Sequence, residues 1–267
     1  MFRAAGPAVA LLVLVTPARA ELEIRDITPT YGPLGPARTS LAVPAGDELF
    51  FRYTIAGVRA DDAGRADGEL RVQVTGPDGR GLHDERRPIN GTLALGGQTL
   101  PGTANVSFGL DTPPGDYTVT VTFRDKLSSG SASFSRKVTC TKPAFALVRV
   151  RLSYDEAGAV PAAGGLVGQT LHVQCKAVGF ARAKAKVRVV IAMQTADAEG
   201  KALMPRPIQA RLATEDAAQI AQLRSVDFSG SLILNRAGKF SLRLTATDEV
   251  SGQKAEVRVP LQVGTAP

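Results

Sequence analysis

The sequence has no tryptophan, only two cysteines, two histidines and 5% aromatic residues. Each scarcity removes a class of function. Without tryptophan, and with few other aromatics, it lacks stacking platforms for sugars or single-stranded nucleic acid. His83 and His172 stand alone, so neither a nucleophile–base arrangement nor a histidine metal pair can be assembled, and each reads as a solvated surface side chain. The patterns G-x-S-x-G, H-E-x-x-H, C-x-x-C and the P-loop are missing. Glycine-rich GGLVGQT, from Gly164, lacks the P-loop lysine and reads as a turn. After the first 20 residues no apolar run reaches the roughly 20 residues that cross a bilayer core. No catalytic group, cofactor or metal ligand set is therefore expected, and no transmembrane segment.

What is present begins with MFRAAGPAVALLVLVTPARA. Arg3 supplies a positive start, Ala4–Val15 an apolar run, and Ala18-Arg19-Ala20 a small-x-small cleavage site, the three parts of a secretory signal. Pro7 and Pro17 speak against a buried helix there. The expectation is a signal peptide over residues 1–20, cleavage after Ala20, and a secreted or periplasmic product.

Charge is divided unevenly. Residues 21–142 carry 14 basic and 15 acidic side chains, whereas residues 143–267 carry 16 and 10. All the excess positive charge thus falls in the second half.

The halves are otherwise alike. GDYTVTVTFRD from Gly115 and GKFSLRLTATD from Gly238 align with Tyr117 on Phe240, Val119 on Leu242, Val121 on Leu244 and Asp125 on Asp248, an offset of 123. GDELFFRYTIAGV from Gly46 aligns with GQTLHVQCKAVGF from Gly168 at an offset of 122. Between these, GELRVQV from Gly68 matches AKVRVVI from Ala185, and DGRGL from Asp78 matches EGKAL from Glu199. Order and spacing hold over about 100 residues, the mark of a tandem duplication. Leu49, Phe51, Tyr53 and Ile55 alternate with polar neighbours, as do their partners Leu171, Val173, Cys175 and Ala177. Period-two alternation with turn punctuation predicts half-buried strands and hairpins. The fold class is all-β: two tandem antiparallel β-sandwiches, residues 21–142 and 143–267, after the leader. TEDAAQIAQL, Thr214–Leu223, is the one helical exception, with Thr214 expected as its cap and acids in its first turn.

The stretch PPGDYTVTVT, from Pro113, resembles the penultimate strand of immunoglobulin-like and fibronectin type III-like domains, and the wider pattern is similar to that of bacterial secreted Ig-like modules. The resemblance implies that the Tyr117 hydroxyl bonds back to the backbone of the preceding corner. Phe240 lacks that hydroxyl, and neither copy has the tryptophan or paired cysteines of antibody domains. The resemblance carries a fold and no activity.

In an exported chain an even cysteine count raises a disulfide. By the repeat, Cys140 takes the place of Val263 and Cys175 that of Tyr53. A head-to-tail rod would aim both at the junction, so a Cys140–Cys175 bridge is one expectation and two buried thiols the other. The acidic loop ADDAGRADGE offers Asp61, Asp62, Asp67 and Glu69 to a cation, but without EF-hand spacing it reads as a hairpin loop. The other surface of note is FARAKAKVRVV, Phe180–Val190. Alternation puts Arg182, Lys184, Lys186 and Arg188 on one side of a strand, with outward Lys239, Arg243, Lys254 and Arg258 on its sheet neighbours. Such a face attracts polyanions, acidic glycans or envelope polymers, and the same cations also serve as a solvated face that discourages edge pairing. The composite expectation is an exported, non-enzymatic binding or scaffold protein for adhesion or protein interaction, with a protein or envelope polymer as partner and nucleic acid disfavoured. Polyanion binding and a periplasmic chaperone-like role are the alternatives.

Overall fold

The structure is a computed structural model and describes residues 21–265. The leader assigned to residues 1–20 lies outside the described residues. Each half folds into eight strands. The first forms β1 (Glu23–Thr30), β2 (Ala42–Val43), β3 (Glu48–Ala56), β4 (Arg65–Thr75), β5 (Gly81–Thr92), β6 (Thr99–Ser107), β7 (Gly115–Asp125) and β8 (Ser131–Cys140). The second forms β9 (Ala146–Ser153), β10 (Gly164–Leu166), β11 (Thr170–Val178), β12 (Val187–Ala196), β13 (Ile208–Thr214), β14 (Val226–Ile233), β15 (Gly238–Asp248) and β16 (Lys254–Gly264).

In the first half a three-stranded sheet β1-β3-β6 faces a five-stranded sheet β2-β8-β7-β4-β5. Adding eight to each label gives the second half, β9-β11-β14 facing β10-β16-β15-β12-β13. The chain is thus two tandem β-sandwiches from one duplicated unit, each closed around its own core. Pairing is antiparallel except for the short β2 and β10, which run parallel to β8 and β16. Even the irregularities are copied. A bulge interrupts the pairing of β1 with β3 and of β9 with β11, and each holds a left-handed non-glycine residue, Asp26 at φ 56° and Arg149 at φ 52°.

The register refines the alignment read from the sequence. Leu70 faces Phe123 and Ile191 faces Ala246, and Phe123 and Ala246 are repeat positions. GELRVQV therefore matches VVIAMQT from Val189, four residues beyond the expected AKVRVVI. The slip is even, so the inward and outward faces are unchanged. His83 lies on β5 and is exposed. The helix α1 (Ala217–Gln222) is capped by Asp216, which accepts from the N–H groups of Ala218 and Gln219 at 2.8 and 3.1 Å. Thr214 is not the cap, because it ends β13.

Three devices hold the sandwiches, and one of them is written twice. Asp125 is fully buried, and its carboxylate accepts the N–H groups of Arg59, Leu127 and Ser128 at 2.9, 2.9 and 3.2 Å. Asp248 does the same for Ala181, Val250 and Ser251, and also receives the Ser251 hydroxyl at 2.6 Å. Burial works to raise both carboxyls, but the donors outweigh it and leave both below the ordinary aspartate range. The corner ahead of β7 is closed by the Tyr117 hydroxyl donating to Pro113 O at 2.7 Å, as the family resemblance implies. In the second copy the Arg236 guanidinium lies 5.2 Å above the Phe240 ring instead.

The third device joins the two units. Buried Asp47 pairs with buried Arg38 at 2.8 Å through one carboxylate oxygen, and its other oxygen accepts the Arg149 N–H at 2.7 Å. Arg149 Nε donates to Gly46 O at 3.1 Å, and Arg151 pairs with Glu48. Leu110 packs on Ala146, Val148 and Val178 beside them.

Both cysteines are free and buried, the second of the two expectations. Cys140 belongs to the first core and Cys175 to the second. The reason for Cys175 is size. In the first copy Tyr53 faces Gly102, where an added Cβ would come within 2.1 Å of the tyrosine ring. In the second copy Cys175 faces Phe228. The large and small members have changed strands, and the small Cys175 packs in the second core while Cys140 packs in the first.

Candidate functional site

The expected basic face is dispersed. A 3-10 turn at Ala183–Ala185, with Ala185 at φ 53°, precedes β12, so of the four expected cations only Arg188 lies on the strand. Arg182 stacks 5.5 Å from the Phe180 ring and donates to Leu223 O. Lys184 lies within the turn. Lys186 and Arg188 both reach Glu215, at 2.9 and 3.4 Å, and their hydrogen bonds and charge hold its carboxyl below the usual range. On the outer face of the β15–β16 hairpin, Arg243 and Arg258 stand opposite each other and share Glu256, at 3.7 and 2.6 Å. Lys239 and Lys254 are exposed at opposite ends of that hairpin. Arg211 on β13, overlooked in the sequence, joins the row of Val190, Thr247 and Lys254 and pairs with Glu249. The acidic loop is occupied by its own backbone: Asp61 accepts from the N–H groups of Ala63 and Arg65, both at 2.9 Å. Among the described residues no group of three His, Cys, Asp or Glu comes together.

The two copies differ most at a sheet overhang. Five strands cannot be covered by three, so the inner face of an outermost strand projects past the opposing sheet. On β5 the residues opposite core positions Val74, Val72, Leu70 and Gly68 are His83, Glu85, Arg87 and Ile89. This overhang is mostly polar, and Arg87 donates across the gap to Thr103 O on β6. On β13 the residues opposite Met193, Ile191 and Val189 are Ile208, Ala210 and Leu212. Ile208 thus replaces Glu85, and Ala210, too short to bridge, replaces Arg87.

Among the described residues no arginine bridges the gap between β13 and β14 as Arg87 does between β5 and β6. At one end α1 seals it with Ile220, which is buried in the second core. The other end opens as a mouth of about 690 Å³ lined by Leu203, Met204, Ile208, Leu234, Phe240 and Leu261, among others. Ile208 is 37% exposed and Ile233, at its rim, 73%. Arg236 is the one charged residue of the lining among the described residues. A signal for this site was present: IQARLAT opens on alternating apolar and polar residues, and its Ile208 and Ala210 stand where the first copy has Glu85 and Arg87.

No family model and no curated protein matches the sequence. Among solved structures, the C-terminal domain of the Streptococcus pyogenes antigen I/II-family protein AspA is 11% identical, covering 88% of this chain and 99% of that one at a TM-score of 0.30. The Streptococcus agalactiae AgI/II polypeptide BspA C-terminal domain gives 11%, 90%, 99% and 0.30 in the same terms. Red sea bream transglutaminase is 9% identical at a TM-score of 0.30, and this chain, 93% covered, spans only 32% of it. Similarity this slight assigns neither topology nor activity. The class the fold defines is a tandem β-sandwich protein.

Proposed function

We propose that the chain is an exported, non-enzymatic binding and scaffold protein, in which the first sandwich is a structural half and the second carries the partner site. The boundary between them falls at Lys142 and Pro143. The observation that carries this reading is the overhang: one unit, present twice, has a polar inner face on β5 and an apolar one on β13. Apolar side chains left in water cost about 25 cal/mol per Å² of surface that a partner would cover, and the first copy demonstrates that the fold does not require them. The interlocked junction through Asp47, Arg149 and Glu48 supports a scaffold role, because it holds the second sandwich in a set orientation. The test is capture from the native envelope and secreted fractions on the immobilised protein. A protein retained by wild type and lost with Ile208→Glu supports the reading; retention of nothing overturns it.

A second reading, attachment to an anionic polymer, is favoured by the facing pair Arg243 and Arg258 with Lys239 and Lys254 beyond them. Internal pairing with Glu256 and Glu215 weakens it. Flow-through on heparin at low salt excludes it.

A further inference from the structure

We infer that the mouth between β13 and β14 receives an extended polypeptide segment of a partner protein, apolar at alternate positions and carrying a carboxylate at one end. This rests on the binding reading above and names what is bound.

The internal comparison locates the site. The corresponding gap in the first sandwich is bridged by Arg87 to Thr103 O, and its inner face carries Glu85. Among the described residues, the second sandwich combines a gap without such a bridge and an apolar floor of Ile208, Ala210 and Leu212.

The backbone selects a polypeptide over a lipid chain. Among the described residues β13 pairs only with β12, and β14 only with β11. Each therefore has an edge without a strand partner, and these edges meet the mouth at Ile208 on β13 and at Ser231–Ile233 on β14; an added strand pairs with their N–H and C=O groups, which a hydrocarbon chain cannot do. A strand lying there directs every second side chain into the apolar floor, which sets the alternation. β13 has seven residues, so a segment of comparable length spans the edge.

Charge selects the end group. Arg236 is the single charged group in the lining and is exposed, and the second half of the chain carries 16 basic against 10 acidic residues. A carboxylate beside Arg236 gains a charge-assisted hydrogen bond without displacing a protein acid.

The experiment uses three fluorescein-labelled eight-residue peptides and the purified protein in anisotropy titrations. One peptide alternates valine and threonine and ends in glutamate; the second ends in lysine; the third has the composition of the first with its valines consecutive. Oleate serves as the lipid probe. Saturable binding of the glutamate peptide is expected, at least tenfold weaker for the lysine and block peptides. Ile208→Glu, which restores the residue type of the first copy at an exposed position, is expected to weaken binding at least tenfold with unchanged melting. Arg236→Glu is expected to reverse the preference between glutamate and lysine ends. Absence of peptide binding, equal binding of the block peptide, indifference to Ile208→Glu, or binding of oleate but no peptide would each overturn the inference. If the peptides fail while wild type still captures an envelope protein in an Ile208-dependent way, the extended segment is wrong and the binding reading stands. If capture fails as well, both fall.

Discussion

The main-chain N–H of Arg149, in the second sandwich, donates to the buried carboxylate of Asp47 in the first at 2.7 Å. Asp47 is already paired with buried Arg38 at 2.8 Å, so one side chain both neutralises a buried charge and fastens the neighbouring unit. The bulge that gives Arg149 its left-handed backbone repeats that at Asp26, so the junction reuses an inherited irregularity. Asp47→Ala should cost about 3–5 kcal/mol, because it strands the Arg38 charge in the interior. Glu48→Gln, which loosens the more exposed Arg151 pair, should cost under about 1 kcal/mol. Urea unfolding measures both, and Asp47→Ala should also separate the transitions of the two sandwiches. Equal, small effects of the two substitutions would mean that the junction is not held by Asp47.

The exchanged pair, Tyr53 with Gly102 and Cys175 with Phe228, predicts strong coupling. Phe228→Gly alone should cost about 3–5 kcal/mol through the cavity it opens, and Cys175→Tyr alone should overpack. Combined, they recreate the first copy's arrangement, and the double variant should be more stable than the sum of the singles by about 1–3 kcal/mol. Additive losses would show that size exchange is not what fixes this position. Burial also pushes the Cys175 thiol up to about 12, so neither buried sulfur should react with a thiol reagent until the protein is unfolded.

Much of the architecture was legible because duplication writes the hydrophobic alternation twice, and strands of one unit confirm those of the other. Asp125 and Asp248 could be aligned, yet their full role could not be read, since one of the N–H groups each binds comes from a residue 66 or 67 positions away and carries no side-chain mark. Arg182 to Arg188 misled because alternation alone cannot register a 3-10 turn. A left-handed Ala185 leaves no trace in composition. The mouth was missed because it depends on which residues of the overhanging strand face inward, and the pairing that sets Ile208 and Ala210 against Met193 and Ile191 is not written in any motif.

The two corners before β7 and β15 are held by different chemistry at equivalent positions. Tyr117→Phe removes a hydrogen bond to Pro113 O and should lower stability by about 1 kcal/mol. Arg236→Ala removes an exposed cation–π contact to Phe240 and should cost about 0.5–1 kcal/mol. Thermal unfolding of each variant is the measurement, and a Tyr117→Phe protein indistinguishable from wild type would show that the hydroxyl is idle.

The paired carboxylate knots predict an acid-side loss of stability. In the fold, Asp125 and Asp248 are held below the aspartate range, whereas in the unfolded chain they titrate near about 3.9. A depressed folded value means that the unfolded state takes up protons first as pH falls. Their contribution is thus complete above about pH 4 to 5 and declines below the unfolded value as pH drops through the folded one. Asp248→Asn keeps one acceptor oxygen but loses the charge and the second acceptor, and should cost about 2 kcal/mol at neutral pH. Because protonation imposes much the same loss on the wild type, the difference between the two proteins should shrink towards pH 2. Urea midpoints for both, measured from pH 7 to pH 2, decide it: a difference that stays constant across that range would mean the ionised form of Asp248 is not what secures the N–H groups of Ala181 and Val250.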